Sequence, residues 1–506
     1  MVLSLPVLGG LFTFVALLYY WVTKQDKKME KLEGIIAPGP RGLPLVGNIF
    51  QLDWKHPFMT FVKWAEEYGD IYSASMGSQR VYVVTDLKMV KEMFSQEVFS
   101  GRLNPGRGVN DLYTNGQMHG VINTEGRHWE DLRRFTLRQL RDFGFGKSSM
   151  EVLIMDELTE ILEWMKSQKD LPVTDVKQRM AIAVVNSLWT VVAGKRYKHT
   201  DPAVVRLTKD ITETMEELGK KAGPGIMMPW LKYVGFKGVE MWRNHLERIK
   251  LMFSTVMSEH KETYSEDSPR DFIDVFLREI ASCIDEDSPF FKEVGYRQLI
   301  AVIKDLFDAG SQSSSITLTW IFLYLATFPD VQKKLQDEVD RVVGNSRQCS
   351  LSDRPNLPYV ESFLAEVHRF TSAAPVGVPH RALADTTYKG YAFPKGTAIM
   401  ANQYGIHYNE KIWGDPSNFR PERFLSPDGA KFQKHEALIP FSTGRRQCAG
   451  ETLARDTLFL YTSNICQRFE IKFDPNDAKA NPGLKPSAGF ILTPQVFKVV
   501  FKDRLD

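Results

Sequence analysis

The first hydrophobic pattern along the chain is continuous, not periodic. Residues 1–23 carry no charged side chain and consist chiefly of Leu, Val, Phe, Ala, Tyr and Trp. That length is enough to cross a hydrocarbon core of about 30 Å. A cleaved signal peptide has a basic start and a small-residue cleavage site, and neither is visible. Lys24, Lys27, Lys28 and Lys31 follow the apolar stretch, with no Lys or Arg before it. The positive-inside rule then puts the N-terminus outside and the body in the cytosol. Ala37, Pro38, Gly39, Pro40, Arg41, Gly42, Leu43 and Pro44 come next, a stiff extended connector in which proline fixes φ.

Periodic patterns begin after that. Phe58, Phe61, Val62, Ala65 and Tyr68 recur at helical spacing. Residues 71–86 alternate around Gly77 and Ser78, which predicts a hairpin. Helical patterns dominate from about residue 86 to residue 381. A second β-rich patch covers residues 386–402, with Gly390, Pro394 and Gly396 as turn signals, and a last strand-like pair covers residues 490–501. The expected fold class is mostly α with small β-sheets near both ends. The expected parts are a transmembrane anchor (1–23), a basic and proline-rich hinge (24–48) and one catalytic body (49–506).

Composition narrows the function classes. Hydrophobic residues make up 43% and charged residues 25% of the 506, which excludes global disorder. Lys+Arg 64 against Asp+Glu 62 gives a net +2, so no basic field is offered to nucleic acid. Four cysteines, Cys283, Cys349, Cys448 and Cys466, are too few for a disulfide framework and contain no C-x-x-C zinc pattern. They suit a reducing compartment.

One of them has a distinctive setting. Pro440, Phe441, Ser442, Thr443, Gly444, Arg445, Arg446, Gln447, Cys448, Ala449 and Gly450 lead into a helical pattern carrying Leu453, Leu458, Leu460 and Ile465. A helix N-terminus favours a thiolate through its dipole and free N–H groups, and Arg445 and Arg446 add positive charge. On the residues alone, Cys448 is a nucleophilic thiol, a metal-ligating thiolate, or a plain structural thiol.

The spacing F-x-x-G-x-R-x-C-x-G, met by Phe441, Gly444, Arg446, Cys448 and Gly450, resembles the haem-ligand loop of the cytochrome P450 superfamily. Ser442 departs from it, where many members carry Gly. Three further motifs follow the family's order: Trp129 to Arg133 at i,i+4, Glu366 to Arg369 at i,i+3, and Pro421-Glu422-Arg423-Phe424. The resemblance covers nearly the whole chain and is closest to the microsomal class, as Arg270-Asp271-Phe272-Ile273-Asp274 and Leu357-Pro358-Tyr359-Val360-Glu361 suggest. It implies a cytochrome P450-like haem-thiolate fold holding haem b, with the iron on the Cys448 thiolate and an oxidant strong enough to attack C–H bonds. It implies that Arg102, Trp129, Arg133, His380 and Arg446 meet the haem propionates and that Phe441 belongs to the cofactor site. Glu366, Arg369 and Arg423 would be structural.

The matching oxygen-activating segment is unusual. Asp308, Ala309, Gly310, Ser311, Gln312 and Ser313 stand where the family has A/G-G-x-D/E-T-T. Ala309 and Gly310 match and let backbone approach oxygen. Gln312 replaces the usual acid and cannot act as a general acid at neutral pH. Ser313 replaces the usual threonine and keeps a hydroxyl. Ser313, Gln312 and Asp308 are the catalytic candidates. Asp308 is expected to point over the haem, where an unpartnered carboxylate is costly. It would be protonated, bonded to a water chain reaching Ser313, or paired with a polar group on the substrate, and selection of a substrate hydroxyl or amine is the expectation.

Mainly small or apolar candidates for substrate contact fall at residues 110–121, 307–310, 374–378 and 489–491, which suits a lipophilic molecule. Pro229-Trp230-Leu231 is a candidate for dipping into the lipid membrane. The implied activity is a monooxygenase at the endoplasmic reticulum, body facing the cytosol, supplied from NADPH by NADPH-cytochrome P450 reductase and by cytochrome b5. Arg134, Arg138, Lys434 and Arg445 are basic candidates for that docking. The rival readings are a haem-thiolate isomerase or lyase acting on a peroxide, motivated by Gln312 and Ser313, and a non-catalytic lipophile-binding protein. Hormone precursors (sterol or terpenoid) and xenobiotics both remain open as substrates.

Overall fold

The computed structural model describes residues 32, 34–43, 46–77, 79–103, 117–221, 237–487, 489 and 491–505. The expected anchor at 1–23, all four hinge lysines, Pro44, Ser78, residues 110–116, Pro229-Trp230-Leu231 and Phe490 lie outside them. No helix among the described residues is long and apolar enough to cross a membrane.

Helices dominate, as the patterns predict. In chain order they include α1 (Pro57–Tyr68), α2 (Leu87–Ser95), α3 (Gly120–Asn123), α4 (Gly126–Asp142), α5 (Ser148–Ser167), α6 (Val176–Ala193) and α7 (Pro202–Lys221). Then come α8 (Lys237–Thr263), α9 (Phe272–Ser282), α10 (Lys292–Thr327), α11 (Pro329–Val342), α12 (Pro358–Thr371) and α13 (Glu451–Arg468). Their starts follow local chemistry. Proline opens α1, α11 and α12, where its missing N–H costs nothing. Asp86 caps α2 by accepting from Met89 N at 2.7 Å, and Asp271 caps α9 by accepting from Asp274 N at 3.0 Å.

α10 is the axis of the molecule, 36 residues and about 54 Å long. Leu299, Val302, Ile303, Phe307, Ile316, Leu318 and Trp320 are all buried along it, in a core shared with α4–α6, α8, α9, α11–α13 and the last strands. Its hydroxyl-rich stretch is self-satisfied. Ser315, Thr317 and Thr319 each donate to the carbonyl four residues earlier, at 2.6, 2.8 and 2.7 Å.

The strands correct the sequence expectation. The N-terminal hairpin and part of the 386–402 patch are not separate but belong to one five-stranded sheet, ordered β1-β2-β7-β4-β3. Its strands are β1 (Ile71–Met76), β2 (Gln79–Val84), β3 (Gly101–Arg102), β4 (His380–Arg381) and β7 (Ala398–Ala401). β2 pairs parallel with β7, and the other pairs are antiparallel. The rest of the patch is the small hairpin β5 (Thr386–Tyr388) and β6 (Tyr391–Phe393). The terminal pair is also different. β9 (Val499–Asp503) pairs with β8 (Phe469–Phe473), directly after α13, and not with residues near 490. Sheet register sets one feature of the site, because Arg102 in β3 lies opposite His380 in β4.

The Glu366–Arg369–Arg423 clasp is present and buried. Glu366 accepts from Arg369 Nε and Nη2 at 2.7 and 2.8 Å, and its carboxylate lies 3.1 Å from Arg423 Nε. The N–H of Arg420 donates to it at 2.8 Å, and Arg369 Nη1 reaches the His407 carbonyl at 2.9 Å. Glu366 and Arg369 are fully buried, so removing the Glu366 charge would strand Arg369.

Candidate active site

The cysteine loop is shaped by backbone demands. Gly444 has φ +76°, and a Cβ there would lie 2.2 Å from the Phe94 carbonyl at the end of α2, so only glycine fits. Ser442, the departure from the motif, also sits in the left-handed region at φ +60°. The family's glycine therefore has a conformational reason, and this chain holds the same backbone at a cost. The loop is anchored from behind. The Ile439 N–H donates to His407 Nε2 at 3.1 Å, which leaves Nδ1 to donate to the Ser372 hydroxyl at 3.0 Å.

Cys448 follows this turn, with its N–H donating to the Phe441 carbonyl at 3.0 Å. It is the exposed free cysteine among the four, all of which are described. Burial pushes Cys349 to about 11 and Cys466 to about 12, so both are inert structural thiols. The Cys448 thiol is also raised, by the protein enclosing it and by Glu451, while the Gly450 N–H and the Arg133 guanidinium act the other way. This differs from the sequence expectation in detail. α13 begins three residues later, at Glu451, and Arg445 is engaged by Glu130. Arg446 is turned inward. An unliganded thiol is thus not strongly acidic here, and a bound metal cation is what would deprotonate it.

The expected propionate residues converge. Arg446 is buried, donating from Nε to the Ser100 carbonyl at 2.8 Å and from Nη2 to the Thr124 carbonyl at 2.5 Å. Its guanidinium carbon lies 3.8 Å from the Trp129 ring centroid. Arg102 is buried, with Nε donating to the Ile122 carbonyl at 3.2 Å. Arg133 Nη2 donates to the Gln447 carbonyl at 2.6 Å, next to Cys448. His380 Nδ1 contacts the Phe99 carbonyl at 2.8 Å and its ring stacks on Phe94 at 3.7 Å.

The electrostatics of this cluster are unbalanced. Neither Arg102 nor Arg446 has a carboxylate partner among the described residues. Glu125, which favours the charge on Arg446, is itself engaged by Arg381. Burial and neighbouring arginines push Arg446 down to about 8 and Arg102 to about 10. Burial, Arg102 and Arg446 together hold His380 well below its ordinary value, so it is neutral. The Trp129 Nε1–H is buried with no acceptor. Buried guanidinium groups without an anion, beside an orphaned donor, are a costly arrangement unless an anion is bound. The paired carboxylates of a haem supply that anion, and the residues present fit the group.

On α10 the three catalytic candidates part company. Ser313 is exposed and its Oγ donates to the Ala309 carbonyl at 2.8 Å, with Ala309 exposed on the same face. Gln312 is buried and turned away, its Nε2 donating to the Thr212 hydroxyl of α7 at 3.2 Å. Asp308 Oδ2 lies 3.0 Å from Lys304 Nζ one turn earlier, an ion pair without an aligned hydrogen bond. The premise of an unpartnered Asp308 carboxylate is therefore corrected. Its charge has a cation on its own helix and does not require a substrate amine. Two substrate-contact expectations also change. Phe307 is buried in the core against Trp189 and Phe253, at 5.3 and 5.5 Å between centroids. A Cβ on Gly310 would lie 2.7 Å from Leu188 Cδ2, so this glycine serves the α6–α10 packing.

Sequence reasoning missed Asp305 and Gln298. Asp305 is buried and accepts from the Ile122 N–H at 2.9 Å, while Gln298 Oε1 accepts from the Gly120 N–H at 2.8 Å. Gly120 is at φ +84°, where a Cβ would lie 2.3 Å from Asp305 Oδ2. α10 thus grips α3, and the carbonyls of Ile122 and Thr124 at that same place receive Arg102 and Arg446. A separate group of ligand-type side chains, His260, Asp271 and Asp274, is already spoken for. His260 bonds Asp271 and the Val256 carbonyl at 2.9 and 2.8 Å, and Asp274 is held by Arg270 at 2.7 Å.

A family model described as Cytochrome P450 matches residues 37–501. This chain belongs to the cytochrome P450 family. Among similar curated proteins is cytochrome P450 2J5 of Mus musculus, 34% identical over 471 residues, covering 91% of this chain and 90% of the relative. Cytochrome P450 2J3 of Rattus norvegicus is 35% identical over 442 residues, 87% and 86% of the two chains. Farnesoate epoxidase of Bombyx mori is 32% identical over 477 residues, 92% and 94%. This cytochrome P450 resembles the microsomal class and is a monooxygenase of that family, whose members bind haem b through a cysteine thiolate on the iron.

Proposed function

We propose that this cytochrome P450 is a membrane-anchored monooxygenase of the endoplasmic reticulum, inserting one atom of dioxygen into a lipophilic substrate with electrons from NADPH. One observation carries the reading: buried, uncompensated Arg102 and Arg446 and the orphaned Trp129 donor beside an exposed cysteine. Cys448 would hold the iron. Arg102, Trp129, Arg133, His380 and Arg446 would hold the propionates, with Phe441 in the loop beside them. Bound there, haem supplies dioxygen activation and oxygen insertion into a C–H or C=C bond. Ser313 presents a hydroxyl on the open face of α10; its single proton rests on the Ala309 carbonyl and becomes available to pass on when the hydroxyl turns away from it. The buried apolar side chains behind α10 exclude water from the other side.

Residues 1–23 would anchor the chain, with the body in the cytosol and residues 229–231 against the lipid. NADPH-cytochrome P450 reductase would deliver electrons from the side of the cysteine loop, with cytochrome b5 as a second donor. Arg134, Arg138 and Lys434 are exposed there to meet acidic partners. A cavity of about 290 Å³ outside the loop, lined in part by Lys91, Lys434, Phe441 and Arg455, belongs to the same face. The name of the Bombyx mori relative makes an isoprenoid acid the first substrate class to try, ahead of sterols and xenobiotics. The retained Ser313 hydroxyl favours oxygen insertion over a peroxide isomerase, which needs no proton delivery to dioxygen. The test is reconstitution of full-length protein with the reductase. NADPH consumption coupled to an oxygenated product is expected. Turnover of an organic peroxide without reductase, and none with NADPH, would reverse the assignment.

A further inference from the structure

The residue that replaces the family's acid makes a contact of its own. Gln312 is only 4% exposed, and its Nε2 donates to the Thr212 hydroxyl at 3.2 Å. Thr212 is on α7, the helix that runs on to Lys221. Earlier along α7, Thr208 Oγ1 and the Val205 carbonyl accept from Gln178 Nε2 of α6, at 2.5 and 3.0 Å. α7 is therefore held by side-chain amides from two helices, first from α6 and then from α10. The α10 contact falls one residue before Ser313, whose hydroxyl lies on the open face.

The chemistry of the amide matters. A glutamate at 312 would be a buried acid that changes charge with pH and with proton transfer, and its bond to Thr212 would change with it. An amide does not titrate, so the Gln312–Thr212 bond is the same in every protonation state of the site. We propose that Thr212 and Gln312 are a positioning pair, in which the side chain at 312 has exchanged proton handling for fixing α7 against α10 beside Ser313. This rests on the monooxygenase reading for its consequence, though not for its existence. With α7 held, the space next to the Ser313 hydroxyl keeps one shape during turnover. With α7 released, water gains access and reduced oxygen escapes as hydrogen peroxide instead of entering the substrate.

The test uses full-length, haem-loaded protein and the variants Thr212→Val, Thr212→Ser, Gln312→Leu, Gln312→Glu and the double variant Thr212→Val/Gln312→Leu. The first readout is backbone amide hydrogen exchange in residues 202–221, measured without substrate or reductase. Losing one hydrogen bond should speed exchange about fivefold to tenfold in Thr212→Val and Gln312→Leu. The double variant should be no faster than either single one. Thr212→Ser keeps a hydroxyl and should retain wild-type exchange, whereas Gln312→Glu loses the amide donor and should make the exchange depend on pH. The second readout is the share of NADPH electrons recovered as peroxide with reductase, farnesoate as trial substrate, and menadione as redox-cycling control. It should rise in Thr212→Val as it does in Gln312→Leu, and return to wild type in Thr212→Ser. Unchanged exchange in Thr212→Val, or effects that add in the double variant, would overturn the pairing. A peroxide rise in Gln312→Leu with Thr212→Val silent would also overturn it, by putting Gln312 on the proton path. A wild-type protein that consumes no NADPH would count against the monooxygenase reading and leave the exchange result standing.

Discussion

Asp305→Asn isolates the grip of α10 on α3. The Asp305 carboxyl is buried, and burial pushes it up to about 6 from an ordinary 3.8, against the pull of Lys304 and of the Ile122 N–H and with a push from Asp308. A carboxyl with a raised value in the folded state holds its proton more tightly when folded. It is therefore harmless to stability at low pH and becomes costly as pH rises from about 4 through 6. The gap between about 6 and 3.8 corresponds to about 3 kcal/mol once complete, of which about 1.4 kcal/mol develops between pH 5 and 7.5. Asparagine keeps an oxygen to accept from Ile122 N at the observed 2.9 Å and cannot ionise. The variant should gain about 1.4 kcal/mol on wild type between those pH values. The assay is urea unfolding of haem-loaded protein at several pH values, read as variant minus wild type so that the shared haem contribution cancels. A difference independent of pH would refute the reasoning. So would a variant that loses ground at pH 7.5, since the carboxylate would then be ionised and supported by Lys304.

Ser442→Gly should stabilise the protein by about 0.5–1 kcal/mol. It relieves a left-handed backbone worth about 1–2 kcal/mol against the greater chain entropy of glycine, and a lower unfolding midpoint would contradict this. Glu366→Gln should cost about 3–5 kcal/mol, because fully buried Arg369 loses its anion; a denaturant midpoint near wild type would show the clasp to be dispensable. Ser313→Ala should lower product formed per NADPH by about tenfold or more and raise peroxide, with substrate binding unchanged; intact coupling would mean that another group delivers the proton.

Legibility in the sequence followed locality. Cys448, Arg446 and Gly444 lie within five residues, and Glu366 and Arg369 share one helical face, so spacing alone brought each set together. Arg102 and His380 had no such signal. They meet only because β3 and β4 pair in the sheet, and resemblance to the family was the sole route to them. The same non-local pairing hid the joining of β2 to β7 and of β8 to β9. Ser313 and Gln312 are neighbours in sequence, but Gln312 meets α7 and Ser313 lies on the open face, since adjacent helical positions are about 100° apart. Nothing in a single chain states which neighbour each face will meet. Asp305 was passed over because a buried aspartate becomes intelligible only once the Ile122 N–H is seen beside it. Asp308 was read as unpartnered although Lys304 stood four residues away, at the spacing for an ion pair.

The central claim is that Cys448 would hold haem iron as a thiolate, with Arg102 and Arg446 taking the carboxylates of the group. The most direct measurement is the absorption spectrum of the reduced carbon monoxide complex of full-length protein, wild type against Cys448→Ala. The account predicts the long-wavelength thiolate band in the wild type and its loss in the variant, since alanine supplies no sulfur. A Cys448→Ala protein that keeps the band would contradict it.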